Sequence, residues 1–226
     1  MITLMFDDTF SSEYFLAKPL LDKLDVVACT SVISDYVDKG TGYLSSKQLS
    51  ELQESGWEIV SHTKTHPLDL RLLSEQEIVG EFKESKIDLE KLQLKVNCVV
   101  YPCGISNPLI WEIASRYYLG ARGFDVRIIG VPPQFNIVDE LNWYSLASVN
   151  ADDHTLLPVF IELMDTHKND WIIFYWHLHQ YPPSWVGHKR STVQEKLDTI
   201  TTIVSHARST DNKIVTTTKV LKKEFK

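Results

Sequence analysis

A closed or nearly closed β/α barrel of seven or eight parallel strands is the fold this sequence predicts. Apolar, β-rich runs recur at 2–6, 26–30, 57–60, 96–101, 117–121, 144–149, 171–176 and 213–217. They alternate with helical patterns near 12–23, 46–55, 74–92, 107–116, 155–168, 191–207 and 218–225. Such alternation builds βαβ units and a parallel sheet, and this many units suit a barrel better than the competing open sheet. No composition shift, repeat or linker divides the 226 residues, so one domain over 1–226 is expected.

Taken in order, the elements carry local signals. The first run, Ile2 to Phe6, ends on Asp7-Asp8. Ser45 opens the second helical pattern with Gln48 three residues on, and Ser74 opens the third with Glu77, both at capping-box spacing. Gly56 stops the second helix. The third run, Trp57 to Val60, breaks into Ser61-His62-Thr63-Lys64-Thr65-His66-Pro67. The fourth ends on Tyr101-Pro102-Cys103-Gly104, and the seventh leads into His177-Leu178-His179. Barrel chemistry collects where strands end and βα-loops begin. Four polar or special-backbone clusters at the same end of successive strands are hard to explain by core packing.

The totals narrow the function. A formal net charge of −7 argues against nucleic acid and anionic membranes, which require basic patches. Three cysteines, Cys29, Cys98 and Cys103, with no CxxC, argue against a disulfide framework and leave any metal to His and Asp. No apolar run approaches a membrane span. The start shows no signal-peptide pattern, so the expectation is a cytoplasmic chain as written, or an extracellular one if trimmed.

Adjacent carboxylates leaving a strand point apart, so one can ligate a metal while the other acts as base; a helix cap and a solvated charge are the plain alternative. His62 and His66 have ligand-pair spacing, although Pro67 disfavours a regular helix at His66. Two histidines and an aspartate suit zinc or another borderline divalent metal. Tyr101 to Gly104 reads as a turn whose backbone N–H groups can approach a ligand. His177 and His179 share one face, and one of them could be a general acid. Arg122 is a candidate substrate contact, with a structural ion pair as the alternative. Trp143, Trp176, Tyr181 and Trp185 are candidate stacking surfaces for a ligand, each more often core.

In this order, the residues resemble the NodB-type polysaccharide deacetylases, the metal-dependent carbohydrate de-N-acetylases. Met5-Phe6-Asp7-Asp8-Thr9 is similar to the family's Thr-Phe-Asp-Asp-Gly, and His62-Thr63-Lys64-Thr65-His66 matches its second motif. Val100-Tyr101-Pro102-Cys103-Gly104 keeps only Pro and Gly of Arg-x-Pro-Tyr-Gly, and Ile172 to His177 resembles the last motif. Asn142-Trp143 falls in the interval of the fourth. The resemblance implies a distorted NodB-type barrel and a metal, most readily zinc, on Asp8, His62 and His66. It implies Asp7 as base toward the attacking water, His177 as acid toward the leaving amine, and the backbone N–H of Cys103 as oxyanion donor. The substrate would be an N-acetylated sugar or polysaccharide, with Tyr101, Pro102, Gly104, Arg122, Trp143, Tyr175 and His179 as candidate contacts. A glycan-binding relative without activity, or a hydrolase of a small non-sugar amide, is the alternative. The departure of consequence is Val100, which stands where the family's Arg orients the catalytic aspartate.

Overall fold

The structure is a computed structural model that describes residues 1–125, 136, 142–179 and 191–224. Seven strands close a barrel in sequence order: β1 (Ile2–Phe6), β2 (Cys29–Val32), β3 (Glu58–Ser61), β4 (Val96–Val100), β5 (Gly120–Asp125), β6 (Leu146–Asn150) and β7 (Ile172–Trp176). All neighbouring pairs are parallel. The helices are α1 (Lys18–Lys23), α2 (Ser46–Glu54), α3 (Glu75–Lys91), α4 (Pro108–Ser115), α5 (Leu157–Thr166), α6 (Val193–Ser209) and α7 (Thr217–Leu221). A π-helical turn, Glu13–Ala17, precedes α1.

Strand alternation sorts the core into two layers. Ile2, Leu4 and Phe6 face outward and pack with Ile172, Phe174, Trp176 and helix residues such as Leu49, Phe82 and Ile200. Met5, Cys29, Val60, Cys98, Val100, Leu146 and Ile173 fill the interior. By the same alternation Asp7 continues the inward row of Met5, and His177 that of Ile173 and Tyr175. The interior therefore changes from apolar to ionisable at the carboxyl ends of the strands. The cap signals hold: Ser45 with Gln48 and Ser74 with Glu77 both form capping boxes.

Three expected strands end differently. The eighth run, 213–217, makes a single bridge, Ile214 to Ile2, because β1 already pairs with β7 over five positions from Ile2 to Phe6. Thr217 then begins α7, whose Val220 and Leu221 plug the amino-terminal end of the barrel. Buried Glu58 accepts the Thr218 N–H at 2.9 Å and anchors that plug. The second strand starts at Cys29 instead of Val26, whose N–H closes the preceding helix by bonding to Leu21 O. The fifth runs from Gly120 to Asp125 because Tyr117 and Tyr118 finish α4, their N–H groups bonding Ala114 O. That shift moves Arg122 from a loop into a strand.

Candidate metal and acid–base centre

Backbone bonds extend the sheet one residue past the strands, and the site residues hang on these extensions. Asp7 N–H donates to Trp176 O at 2.9 Å, His62 N–H to Val32 O at 2.8 Å, and Ala151 N–H to Tyr175 O at 2.8 Å. Beyond them the chain turns sharply: Asp8, Thr9, Thr63, His66 and Cys103 all have positive φ, a costly conformation for residues with side chains that concentrates at functional sites. His66 at φ 61 before Pro67 agrees with the expected absence of a helix there. Glu81 of α3 holds this loop through the N–H groups of Lys64 and Thr65, each at 2.9 Å.

Asp8, His62 and His66 come together, with their ligand atoms within 4.8 Å of one another. Asp8 Oδ1 lies 3.4 Å from His62 Nε2 and 3.6 Å from His66 Nε2. That oxygen is buried without a hydrogen-bond partner, which the donor set explains as a seat for a cation. His62 Nδ1 lies 2.9 Å from Val100 O. Donation to that carbonyl leaves the Nε2 lone pair turned toward Asp8, as metal-ligating histidines require. Burial, then the neighbouring His62, lowers the pKa of His66 to about 4, so its imidazole is neutral at pH 7. Burial would raise the Asp8 pKa, but the close approach of His62 and the charge of His177 drive it below the usual carboxylate range.

Asp7 is held apart from this group. Arg122 grips it with two bonds, Nη2 to Oδ2 at 2.5 Å and Nη1 to Oδ1 at 3.2 Å, and Ser31 Oγ donates to Oδ1 at 2.7 Å. Burial favours the protonated acid, yet the charge and hydrogen bond of Arg122 together with the neighbouring His62 and His177 outweigh it and keep the carboxylate below its ordinary pKa. Arg122 is 4% exposed and its guanidinium lies 4.1 Å from the Tyr175 ring centre, so it is committed to a buried ion pair with Asp7. In the sheet Arg122 pairs directly with Val100. The arginine missing at Val100 is thus supplied from the adjacent strand.

His177 Nε2 lies 3.8 Å from Asp8 Oδ2, the carboxylate oxygen other than the one nearest His62 and His66. Its Nδ1 bonds Asp152 Oδ2 at 2.6 Å, and its backbone N–H donates to Asp152 Oδ1 at 2.9 Å. Burial alone would lower the His177 pKa; Asp152, then Asp8 and Asp7, overrule it and raise it to about 9. An imidazole in an unfolded chain titrates near ~6.5. Charged His177 therefore stabilises the fold fully below pH ~6.5, and that contribution is lost as the pH rises through about 9. His177→Ala is expected to destabilise the metal-free protein by on the order of 3 kcal/mol at pH ~6 and far less at pH ~10. Urea unfolding of both proteins at the two pH values measures the difference, and equal losses would contradict it.

Asp152 was not among the sequence candidates. Its signal was nonetheless present: Asp152-Asp153 follows a strand run as Asp7-Asp8 does. Trp143 lies before β6, at the opposite end of the barrel from His177, so neither it nor Asn142 belongs to the site. Tyr101 is fully buried with its hydroxyl donating to Tyr144 O, and Pro102 is buried beside it, so neither ring faces a substrate. Trp176 is core. Cys103 is exposed in the 102–104 turn at φ 53, with Gly104 at φ 69. His179 stacks on Phe10 with ring centres 4.1 Å apart, and its pKa falls to about 4 through burial and the charge of His177. Tyr181 and Trp185 lie outside the described residues. No helix among the described residues is long and apolar enough to cross a membrane.

Residues 1–121 match the family model for polysaccharide deacetylase. The chain belongs to the polysaccharide deacetylase family. Among solved structures, the Streptococcus pyogenes deacetylase PplD in complex with acetate is 32% identical over 54% of this chain and 55% of its own, with a TM-score of 0.52. The chain thus spans about half the length of that relative. The T48 deacetylase with substrate, at 17% identity, covers 98% of this chain and 90% of its own at a TM-score of 0.67. A CE4 family pseudoenzyme from Bacillus anthracis, 15% identical, covers 98% and 65% at a TM-score of 0.62. The last two share the barrel with this polysaccharide deacetylase family member. No curated protein matches the chain.

Proposed function

We propose that this protein is a metal-dependent hydrolase that removes N-acetyl groups from an N-acetylated sugar or polysaccharide. One observation carries the reading: a candidate base, a candidate ligand triad and a candidate acid gather at the carboxyl ends of the barrel strands, each with its own buried support. Asp8 Oδ1 and the Nε2 atoms of His62 and His66 would hold a divalent cation, most readily zinc. When bound, such a cation polarises the amide carbonyl and lowers the pKa of water.

The side chains do the rest. Asp7, kept ionised by Arg122, accepts a proton from the attacking water. An amine leaves poorly unless protonated, and His177, cationic at neutral pH, carries the proton for it on Nε2. The backbone N–H of Cys103, in its left-handed turn, would serve as oxyanion donor. Phe10, stacked between His179 and Tyr43 with centre distances of 4.1 and 5.8 Å, gives the sugar an aromatic wall.

Purified protein, stripped of metal and reloaded with zinc, should release acetate from chitin oligomers or another N-acetylated glycan. The zinc-free protein should release none. Failure of the loaded protein on every N-acetylated glycan offered would sink the reading.

A further inference from the structure

Lys196 is a cation with no exposed side-chain surface, set in the first turns of α6. Both circumstances are unfavourable. An ammonium loses its hydration on burial, and the amino-terminal end of a helix repels positive charge. A methionine would fill similar volume without either cost, and replacing buried ion pairs by apolar residues is often neutral or stabilising.

The charge faces His177 and Asp152. Lys196 Nζ donates to the backbone oxygen of His177 at 2.7 Å and lies 3.2 Å from Asp152 Oδ1. Asp152 in turn takes the backbone N–H of His177 on Oδ1 and the ring Nδ1 on Oδ2. His177 is thereby gripped at its amide, its carbonyl and its ring, each time by Asp152 or Lys196. We propose that Lys196 is a positioning residue for the acid His177: it fixes the Asp152 carboxylate and the His177 main chain together, so that Nε2 stays turned toward Asp8. This rests on the role given to His177 above. A lysine that only welded α6 to β7 would support the fold without acting through the imidazole.

The two roles separate in a double-mutant comparison on the zinc-loaded full chain, with Lys196→Met, His177→Ala and the pair assayed for acetate release. Lys196→Met is expected to lower kcat about 10- to 100-fold and leave KM within about twofold. In the His177→Ala background the same substitution should change the residual rate less than about twofold, because residues acting as a unit are non-additive. A second readout needs no turnover: the downfield proton resonance of His177 Nδ1–H, identified by its loss in His177→Ala, should broaden or vanish in Lys196→Met. Lys196→Gln, which keeps a donor for the His177 carbonyl without the charge, should be intermediate and serves if the methionine variant does not fold. An unchanged kcat with an unchanged resonance overturns the proposal. So does an equal fold-loss in the His177→Ala background. A wild type that is inactive on every glycan refutes the functional reading instead, and the resonance alone then decides the role of Lys196.

Discussion

Removing either partner of the Asp7–Arg122 pair is expected to remove most of the turnover, by two different routes. Asp7→Asn leaves a neutral amide that cannot take a proton, and a positioned base contributes about 10²- to 10⁴-fold; kcat should fall by that much. Arg122→Met keeps the carboxylate but strips its bidentate support and leaves the charge buried at 2% exposure. Breaking a buried pair in this way costs about 3–5 kcal/mol. The Asp7 pKa should rise, because burial then acts against the charged form without Arg122 to oppose it. The expected result is a kcat reduced about 100-fold or more in protein that still folds and binds zinc. Since Val100 pairs with Arg122 in the sheet, Val100→Arg combined with Arg122→Val puts the guanidinium back one strand away, about 4.8 Å across. Partial recovery of kcat over Arg122→Val alone is expected. A well-folded Arg122→Met protein with wild-type kcat would show that the pair only holds the barrel together.

That pair also marks what the sequence could and could not say. Alternation of strands and helices was enough for the barrel, because period and β-content are local properties. The strand ends were harder to place. The aromatic run Tyr117-Tyr118 has the β-propensity of a strand, yet both residues close a helix, and Tyr118 spends its hydroxyl on Phe82 O. Ending β5 at Ala121 placed Arg122 in a loop, where a substrate contact is the natural reading. Beginning it at Gly120 places the same side chain inside the barrel beside Asp7. The grouping of Asp8, His62 and His66 was legible because they lie within two short motifs. Lys196 was not, since its meaning depends on a contact with the main chain of His177, 19 residues away in sequence. A buried lysine looks like any surface lysine until the helix that carries it is placed.

The two adjacent aspartates should part company when a metal is titrated. Asp8 Oδ1 faces both His62 Nε2 and His66 Nε2, whereas Asp7 has its oxygens committed to Arg122 and Ser31. A cation that binds only the folded state at a free concentration of about 100 times its Kd adds about 2.7 kcal/mol of stability. For a chain of this size that corresponds to a rise in Tm of about 5–10 °C. Wild type should show such a rise with zinc and a smaller one with an equal concentration of magnesium, because two imidazoles suit the borderline metal and not the hard one. Asp8→Asn removes the anionic ligand and should lose most of the zinc-induced rise. Asp7→Asn should start from a lower Tm, since it leaves Arg122 buried and unpaired, yet keep the rise nearly whole. Thermal unfolding of the three proteins with and without metal is independent of any substrate. If Asp7→Asn lost the rise as completely as Asp8→Asn, both carboxylates would have to be metal ligands, and Asp7 could not serve as a base held off the metal by Arg122.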